Sequence, residues 1–236
     1  MEVDLKVVNL TSFKGGAGKT TTAMLVATAL VKRDVRVALI DADENQPLVA
    51  WQDVARTNGH WDEQCIVRRG DDMASLDQAY DEALASDVDV LIIDTRGGGS
   101  ELNNACALTA GVVIVPTALT GLDMDAALAT FEYVVRLIHD HRQRTPVRLL
   151  MQRVPIGRLS RSQERDLQLL ATLPVLQTRL HQRDAFGSIA KRGMLHLVLQ
   201  SVVANERTRI AASHMWSAMA EAVTLADEIV TKVGED

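Results

Sequence analysis

Residues 13–22 read FKGGAGKTTT. Glycines at 15, 16 and 18 let successive backbone N–H groups wrap a polyphosphate, and a helix opening behind them adds partial positive charge. In that chemistry Lys19 neutralises β/γ-phosphate oxygens and the Thr20 hydroxyl holds Mg²⁺. Gly15, Gly16, Ala17, Gly18 and Thr21 complete the cradle. One lysine is enough for one cradle, so Lys14 is surplus. The general phosphate-loop pattern puts its first glycine at position 13, where this chain has Phe13. The dinucleotide fingerprint fails as well, because Gly16-x-Gly18 is followed by Thr21. The competing reading is a glycine-rich turn with incidental lysines.

Acidic residues close two further apolar runs. Asp41-Ala42-Asp43 follows VRVALI, and Asp94 follows VLII. Carboxylates beside a triphosphate are costly unless they pair with Mg²⁺ or orient water; the alternative for the first pair is helix capping. Asp94 leads into Thr95-Arg96-Gly97-Gly98-Gly99, a run that implies a tightly turning loop. Arg96 reads either as a γ-phosphate or interface residue, or as a surface arginine with no role.

These residues need strands to end beside one another and helices to start there. Apolar runs of strand length alternate with helical stretches along the chain. Strands are expected at Leu5–Leu10, Val35–Ile40, Val88–Ile93, Val112–Val115 and Val147–Met151, with a strand-like run after Cys65 and a short one at Pro174–Leu176. Helices are expected from Lys19 to Arg33, after Pro47, from Ser100 through Leu108, from Thr120 to about Asp140, and after Ser160. Two more are expected at Asp184–Arg192 and Glu206–Val233. Thr120-x-x-Asp123 and Ser160-x-x-Gln163 have the spacing of capping boxes. Repeated strand–helix units with uniformly apolar strands predict an α/β fold: a doubly wound, mainly parallel sheet flanked by helices. Its ligands would lie beyond the carboxyl ends of the strands. Without repeats or linkers, residues 1–236 read as one domain.

Composition agrees with a globular chain: 236 residues, 47% apolar, 24% charged, mean hydropathy +0.03. No apolar run approaches the roughly 18–20 residues of a membrane span, and the acidic residues of MEVDLKVVNL do not fit a secretory signal. The expectation is a cytoplasmic protein without membrane insertion. Cys65 and Cys106 lack a CxxC partner and read as core residues. Net charge is −6, yet residues 136–192 hold twelve Lys/Arg against four acids, a local +8. Such asymmetry fits a basic face meeting phosphate backbone, or a set of solvated helix surfaces.

KGGAGKTT resembles the deviant Walker A loop of the ParA/MinD family of P-loop ATPases. The resemblance implies that Lys14, the signature lysine, reaches phosphates bound by the partner in an ATP-sandwiched homodimer. Asp43 then matches the residue that positions attacking water, Asp41 lies near the metal, and Asp94 matches the Walker B aspartate. Where the family continues Pro-Gln after the first motif, this chain has Glu44-Asn45; where it reads D-T-P-P, this chain has Arg96-Gly97. Pro116-Thr117 resembles a turn near the nucleotide, and Gln152-Arg153 falls where base contacts are made. HQRDAFGSIAKRG (181–193) resembles another family segment, flanked by Arg179, Arg183, Lys191 and Arg192 as candidate DNA contacts. DADENQPL, MQRVPIGRL and RGMLHL resemble the VirC-type branch, which acts in T-DNA transfer.

The implied activity is Mg²⁺-dependent ATP hydrolysis by a dimer that binds DNA, in DNA transfer or plasmid partition. A centromere-binding, relaxase or cargo adaptor protein is the implied partner. Four rivals share the loop. Membrane cycling needs a basic amphipathic tail, whereas residues 218–236 carry five acids against Lys232. An iron–sulfur ATPase needs poised cysteines, and a metabolic ligase needs a substrate pocket. An adaptor that binds ATP with little hydrolysis is the non-enzyme alternative.

Overall fold

The computed structural model describes residues 5–204 and 212–235. Six strands form one sheet: β1 (Lys6–Leu10), β2 (Val37–Ala42), β3 (Cys65–Arg69), β4 (Val90–Thr95), β5 (Val112–Thr117) and β6 (Val147–Met151). Their order is β3-β2-β4-β1-β5-β6, and every pairing is parallel. β1 is flanked by β4 and β5, so the chain winds outward to both sides of it. The loop leaving β1 therefore opens at the switch point, where α/β sheets take their ligands.

The register brings the acidic residues together. Leu10 of β1 pairs with Asp94 of β4, and Asp41 of β2 pairs with the same Asp94. Both carboxylates lie inside their strands rather than just beyond them, because β2 and β4 each run about two residues further than the apolar runs indicate.

Helices α1 (Lys19–Val31), α2 (Pro47–Thr57), α7 (Asp184–Gly187), α8 (Ile189–Arg192), α9 (Leu195–Ala204) and α10 (Ala212–Lys232) pack one face of the sheet. The opposite face is covered by α3 (Met73–Ala85), α4 (Glu101–Leu108), α5 (Gly121–Asp140) and α6 (Arg161–Leu170). Val8 and Leu10 join the first core, Val7 the second, as strand alternation requires. α1 lacks a polar face: eleven of its residues are buried, because the sheet, α2, α9 and α10 enclose it.

Helix starts follow the local signals. Thr120 and Ser160 accept from the backbone N–H of Asp123 and Gln163, and Ser160 with Gln163 forms the full reciprocal box. Asp72 and Ser75 make another at α3, a helix not anticipated above. The single helix expected over 184–192 is two short ones, divided at Gly187-Ser188, both poor helix formers. Pro174–Leu176 is reduced to an isolated bridge between Val175 and Leu149. β5 runs two residues past the expected Val115, so Pro116 lies within it. The ladder to β1 ends at Ile114, so the missing N–H of Pro116 costs no bond on that side. The expected start of the last helix, at Glu206, lies outside the described residues.

Candidate functional site: a phosphate loop with two lysines

Leu10 ends β1, and residues 11–18 cross the top of the sheet before α1 begins. Gly18 is the residue before α1, with a left-handed φ of 93°. That φ is what favours glycine at position 18, and a Cβ there would also displace the end of the Gln152 side chain. Gln152 is buried and its amide donates to the Ala17 carbonyl, holding the loop from the side of β6. Thr22 donates to the Gly18 carbonyl and closes the first turn of α1.

Lys19 is 6% exposed, yet no carboxylate lies within ion-pair distance of its ammonium among the described residues. Burial pulls its pKa below the ordinary lysine value, against the opposing charges of Asp94 and Asp43. A buried cation without a direct partner, at the start of a helix and above a glycine loop, fits an anion the chain itself does not supply.

Asp94 is its counterpart. The carboxylate is fully buried and neither oxygen has a hydrogen-bond partner of ordinary geometry. Burial pushes its carboxyl up to about 7, opposed by Thr20 and Lys19 and reinforced by Asp41 and Asp43. Orphaned buried carboxylate oxygens beside the Thr20 hydroxyl suit a hard divalent cation such as Mg²⁺. The residues present thus fit a nucleotide–Mg²⁺ pair: Gly15 to Thr21 for phosphates, Thr20 and Asp94 for metal.

Asp41 differs. Its Oδ2 accepts from Leu48 N (2.7 Å) and Val49 N (3.1 Å) at the start of α2, and its Oδ1 faces Asp43 N at 3.4 Å. One oxygen is thus committed to holding α2, which is the capping role open to this pair from the sequence. Burial still pushes its carboxyl up to about 6. Asp43 is half-buried, and its Oδ1 accepts from both the backbone and side-chain N–H of Asn45, each at 2.9 Å.

The glycine run after Asp94 backs directly onto the phosphate loop. Gly98 N donates to Ser12 O (3.2 Å), and a Cβ on Gly97 would come within 2.9 Å of Gly15 N. Asn103, buried at the start of α4, fixes this loop by donating to the Gly98 (2.7 Å) and Arg96 (3.2 Å) carbonyls. Arg96 pairs with Glu44 at 3.3 Å, so the two departures from the family pattern meet each other across the mouth of the site.

Beside the loop lies a cavity of about 490 Å³ lined by Gly16, Gly18, Thr21, Gln152, Arg153 and the segment 180–188. Leu180 and Phe186 give it an apolar side and Gln152, Arg153, Gln182 and Asp184 its polar groups, a composition suited to a base and sugar. Gln152 and Arg153, the base contacts the resemblance implies, both line this cavity. Pro116 is buried within β5 and is not among the lining residues. The contribution of 180–188 was legible only as a motif without a place.

Arg183 also changes role. It was a candidate DNA contact, but its guanidinium is bonded to Glu221 of α10, with both side chains about 15% exposed. Glu221 also accepts from His181 N (3.0 Å) and lies 2.9 Å from His181 Nδ1. Arg179 and Lys191 are exposed and Arg192 half-buried, so these three remain on the surface. Lys14, the surplus lysine, stands at the rim, 39% exposed, with Nζ 2.6 Å from Asp123 of α5. Nothing in the sequence singled out Asp123 beyond its place in a capping box. Cys65 and Cys106 are free and buried, and no cluster of metal-ligating side chains occurs among the described residues. No helix among them is long and apolar enough to cross a membrane.

Residues 5–235 match the family model described as VirC1 protein. The chain is 41% identical over 231 residues to protein virC1 of Rhizobium radiobacter, covering 98% of this chain and all of that one. It is 42% identical over 221 residues to protein virC1 of Rhizobium rhizogenes, covering 94% and 96%. Among solved structures, the septum site-determining protein MinD of Pyrococcus horikoshii, complexed with Mg-ADP, superposes with a TM-score of 0.62. That match has 16% identity and covers 95% of this chain and 97% of that one, a likeness of fold alone. By sequence over nearly its whole length, this chain belongs to the VirC1 protein family, built on the ParA/MinD P-loop fold.

Proposed function

We propose that the protein is a Mg²⁺-dependent ATPase whose ATP-bound form pairs with a second copy of itself and binds DNA, acting in DNA transfer or plasmid partition. The observation that carries this reading is the division of labour between the two loop lysines. Lys19 is buried over its own loop on the side of Asp94, whereas Lys14 stands at the rim, its side chain 39% exposed and its ammonium paired with Asp123. A single-subunit phosphate site has use for the first; the exposed position of the second supports a role toward charge brought by a neighbour.

In this reading Gly15–Gly18 and Lys19 hold the phosphates, Thr20 and Asp94 hold Mg²⁺, and the cavity by Gln152 and Arg153 takes the base. Bound Mg²⁺ supplies charge neutralisation at the transferring phosphoryl group. Asp43 orients water, and Lys14 completes the partner's site. Arg179, Lys191 and Arg192 give DNA a phosphate-contacting surface, and a centromere-binding, relaxase or cargo adaptor protein stimulates the cycle. Sizing and DNA binding with ADP, ATP and a nonhydrolysable analogue test it. Dimer formation and DNA binding with ATP and the analogue, and neither with ADP, is the expected result. A monomer in all three states refutes the reading.

One observation favours a second reading, an ATP-binding adaptor with little hydrolysis. The Asp43 carboxylate is engaged by Asn45 at two positions, which holds it within its own loop. Measuring hydrolysis with and without DNA separates the two.

A further inference from the structure

Arg96 and Glu44 lie in the two stretches where this chain leaves the family pattern, and the sheet brings them to one level. Ala42 of β2 pairs with Thr95 of β4 in the last rung of their ladder, so Asp43-Glu44 and Arg96 emerge from neighbouring strands side by side. The Arg96 guanidinium lies 3.3 Å from a Glu44 carboxylate oxygen, with the two side chains 46% and 70% exposed. The backbone beneath Arg96 is held more firmly. Its carbonyl accepts from Asn103 Nδ2 at 3.2 Å, and the next residue, Gly97, is seated against Gly15 of the phosphate loop. Arg96 is therefore a long cation on a fixed base beside the loop, tied only by an exposed pair that is cheap to exchange.

The strand order shows which phosphate it faces. The sheet runs β3-β2-β4-β1-β5-β6. The cavity suited to a base lies on the β6 side, against Gln152 and Arg153, whereas Asp43, Asp94 and Arg96 lie at the ends of β2 and β4, across the loop from it. A nucleotide with its base in that cavity and its phosphates over Gly15 to Thr20 extends its phosphate chain toward β4 and β2. The phosphate farthest from the base thus arrives where Arg96 stands. It also arrives among Asp43, Glu44 and Asp94, carboxylates that repel it. A guanidinium turned to that phosphate makes a charge-assisted, two-pronged contact that neither an ammonium nor the family's proline supplies.

We infer that Arg96 is a specificity-determining residue that exchanges Glu44 for the terminal phosphate of ATP, and so lets a single subunit distinguish ATP from ADP. This rests on the ATP-binding site proposed above. Glu44 is the competitor, because the guanidinium must leave it to reach the phosphate. One charge-assisted bond at a partly exposed site corresponds to about tenfold in affinity, and release from an exposed pair to about two- to fivefold.

The test is titration of the full chain with a nonhydrolysable ATP analogue and with ADP, each with Mg²⁺, at protein concentrations too dilute for subunits to pair. The quantity read is the ratio of the two affinities. Arg96→Ala is expected to bind the analogue about tenfold more weakly and ADP as before, the retained ADP binding showing that the variant is folded. Arg96→Lys recovers part of the loss. Glu44→Gln moves the ratio about two- to fivefold in favour of the analogue, and that gain vanishes when Arg96→Ala is added. A gain that survives without Arg96 comes merely from removing a carboxylate near the phosphates, and it overturns the inference. So does an Arg96→Ala chain whose ratio is unchanged, whether both affinities hold or fall together; each of these outcomes leaves the proposed function intact. If the unmodified chain binds neither nucleotide, the proposed function falls and this inference with it.

Discussion

Glu221 and Glu228 on α10 take the place of a seventh strand. The segment 176–182 runs beside β6, with Leu176, Leu180 and Gln182 donating to Leu149, Met151 and Val154. Outward-facing N–H groups of Gln177 and Thr178 donate to Glu228, and that of His181 to Glu221. Glu221 carries Arg183 as well, so replacing it with alanine leaves a guanidinium about 15% exposed and a backbone donor without acceptors. Breaking a buried pair from one side costs about 3–5 kcal/mol. Some solvent still reaches this one, so about 3 kcal/mol is the working figure, between that range and the roughly 1.5–3 kcal/mol of one charge-assisted bond. For a chain of this size that lowers the melting temperature by about 6–12 °C. Glu221→Gln, which keeps an acceptor and loses the charge, should cost about half as much.

Thermal unfolding followed by circular dichroism gives the number, and nucleotide titration gives its functional echo, since Leu180 to Arg183 line the cavity. The pH dependence has a definite sign. Burial raises the Glu221 carboxyl, but Arg183 and the His181 N–H outweigh it, leaving it below the ordinary glutamate value. A lowered carboxyl contributes stability that is complete above the unfolded value and lost as pH falls through the folded one. The unmodified chain should therefore lose its advantage over Glu221→Gln as pH drops below about 4. A melting temperature for Glu221→Ala within about 2 °C of the unmodified chain at pH 7 refutes the clamp.

Lys14→Ala should bind nucleotide as a monomer and fail to dimerise with ATP, as read by sizing; persistence of the dimer removes the cross-subunit role. Asp94→Asn should abolish Mg²⁺-dependent tightening of nucleotide binding while raising the melting temperature of the nucleotide-free chain. The gain should be larger at pH 8 than at pH 5, because a carboxyl pushed up to about 7 costs the fold more as pH rises through that window. Gly97→Ala forces its new methyl against the Gly15 backbone and should weaken nucleotide binding without unfolding the chain, checked by titration alongside circular dichroism. Charge reversal at Arg179, Lys191 and Arg192 should weaken DNA binding and flatten its salt dependence. Reversal at Arg183 should destabilise the fold instead, by setting a second carboxylate against Glu221.

The strand–helix alternation and the phosphate loop were legible because both rest on local pattern: apolar runs, capping spacings and glycines in fixed register with a lysine. The orphaned state of Asp94 was not, because it depends on the lateral pairing of β4 with β1 and β2. Arg183 was misplaced for a similar reason. A charge census counts arginines but cannot see that Glu221, thirty-eight residues on, neutralises one of them. Asp41 shows a subtler limit: two chemistries were open to it, and only the direction of the Leu48 and Val49 N–H groups shows that one oxygen serves α2. The helix at 73–85 escaped because its capping pair, Asp72 and Ser75, ends in a serine rather than an acid or amide.

The enclosure of α1 has a mechanical consequence. Among the described residues, a helix so nearly enclosed, with eleven of its thirteen residues buried, behaves as a fixed anvil beneath the phosphate loop and offers an outside protein little surface. Any message about nucleotide must leave sideways, through segments that touch the loop and also reach solvent. Those are the Arg96–Gly99 turn with α4 behind it, the start of α5, and the 180–188 wall. On the function proposed above, a stimulating protein would act through one of these three places.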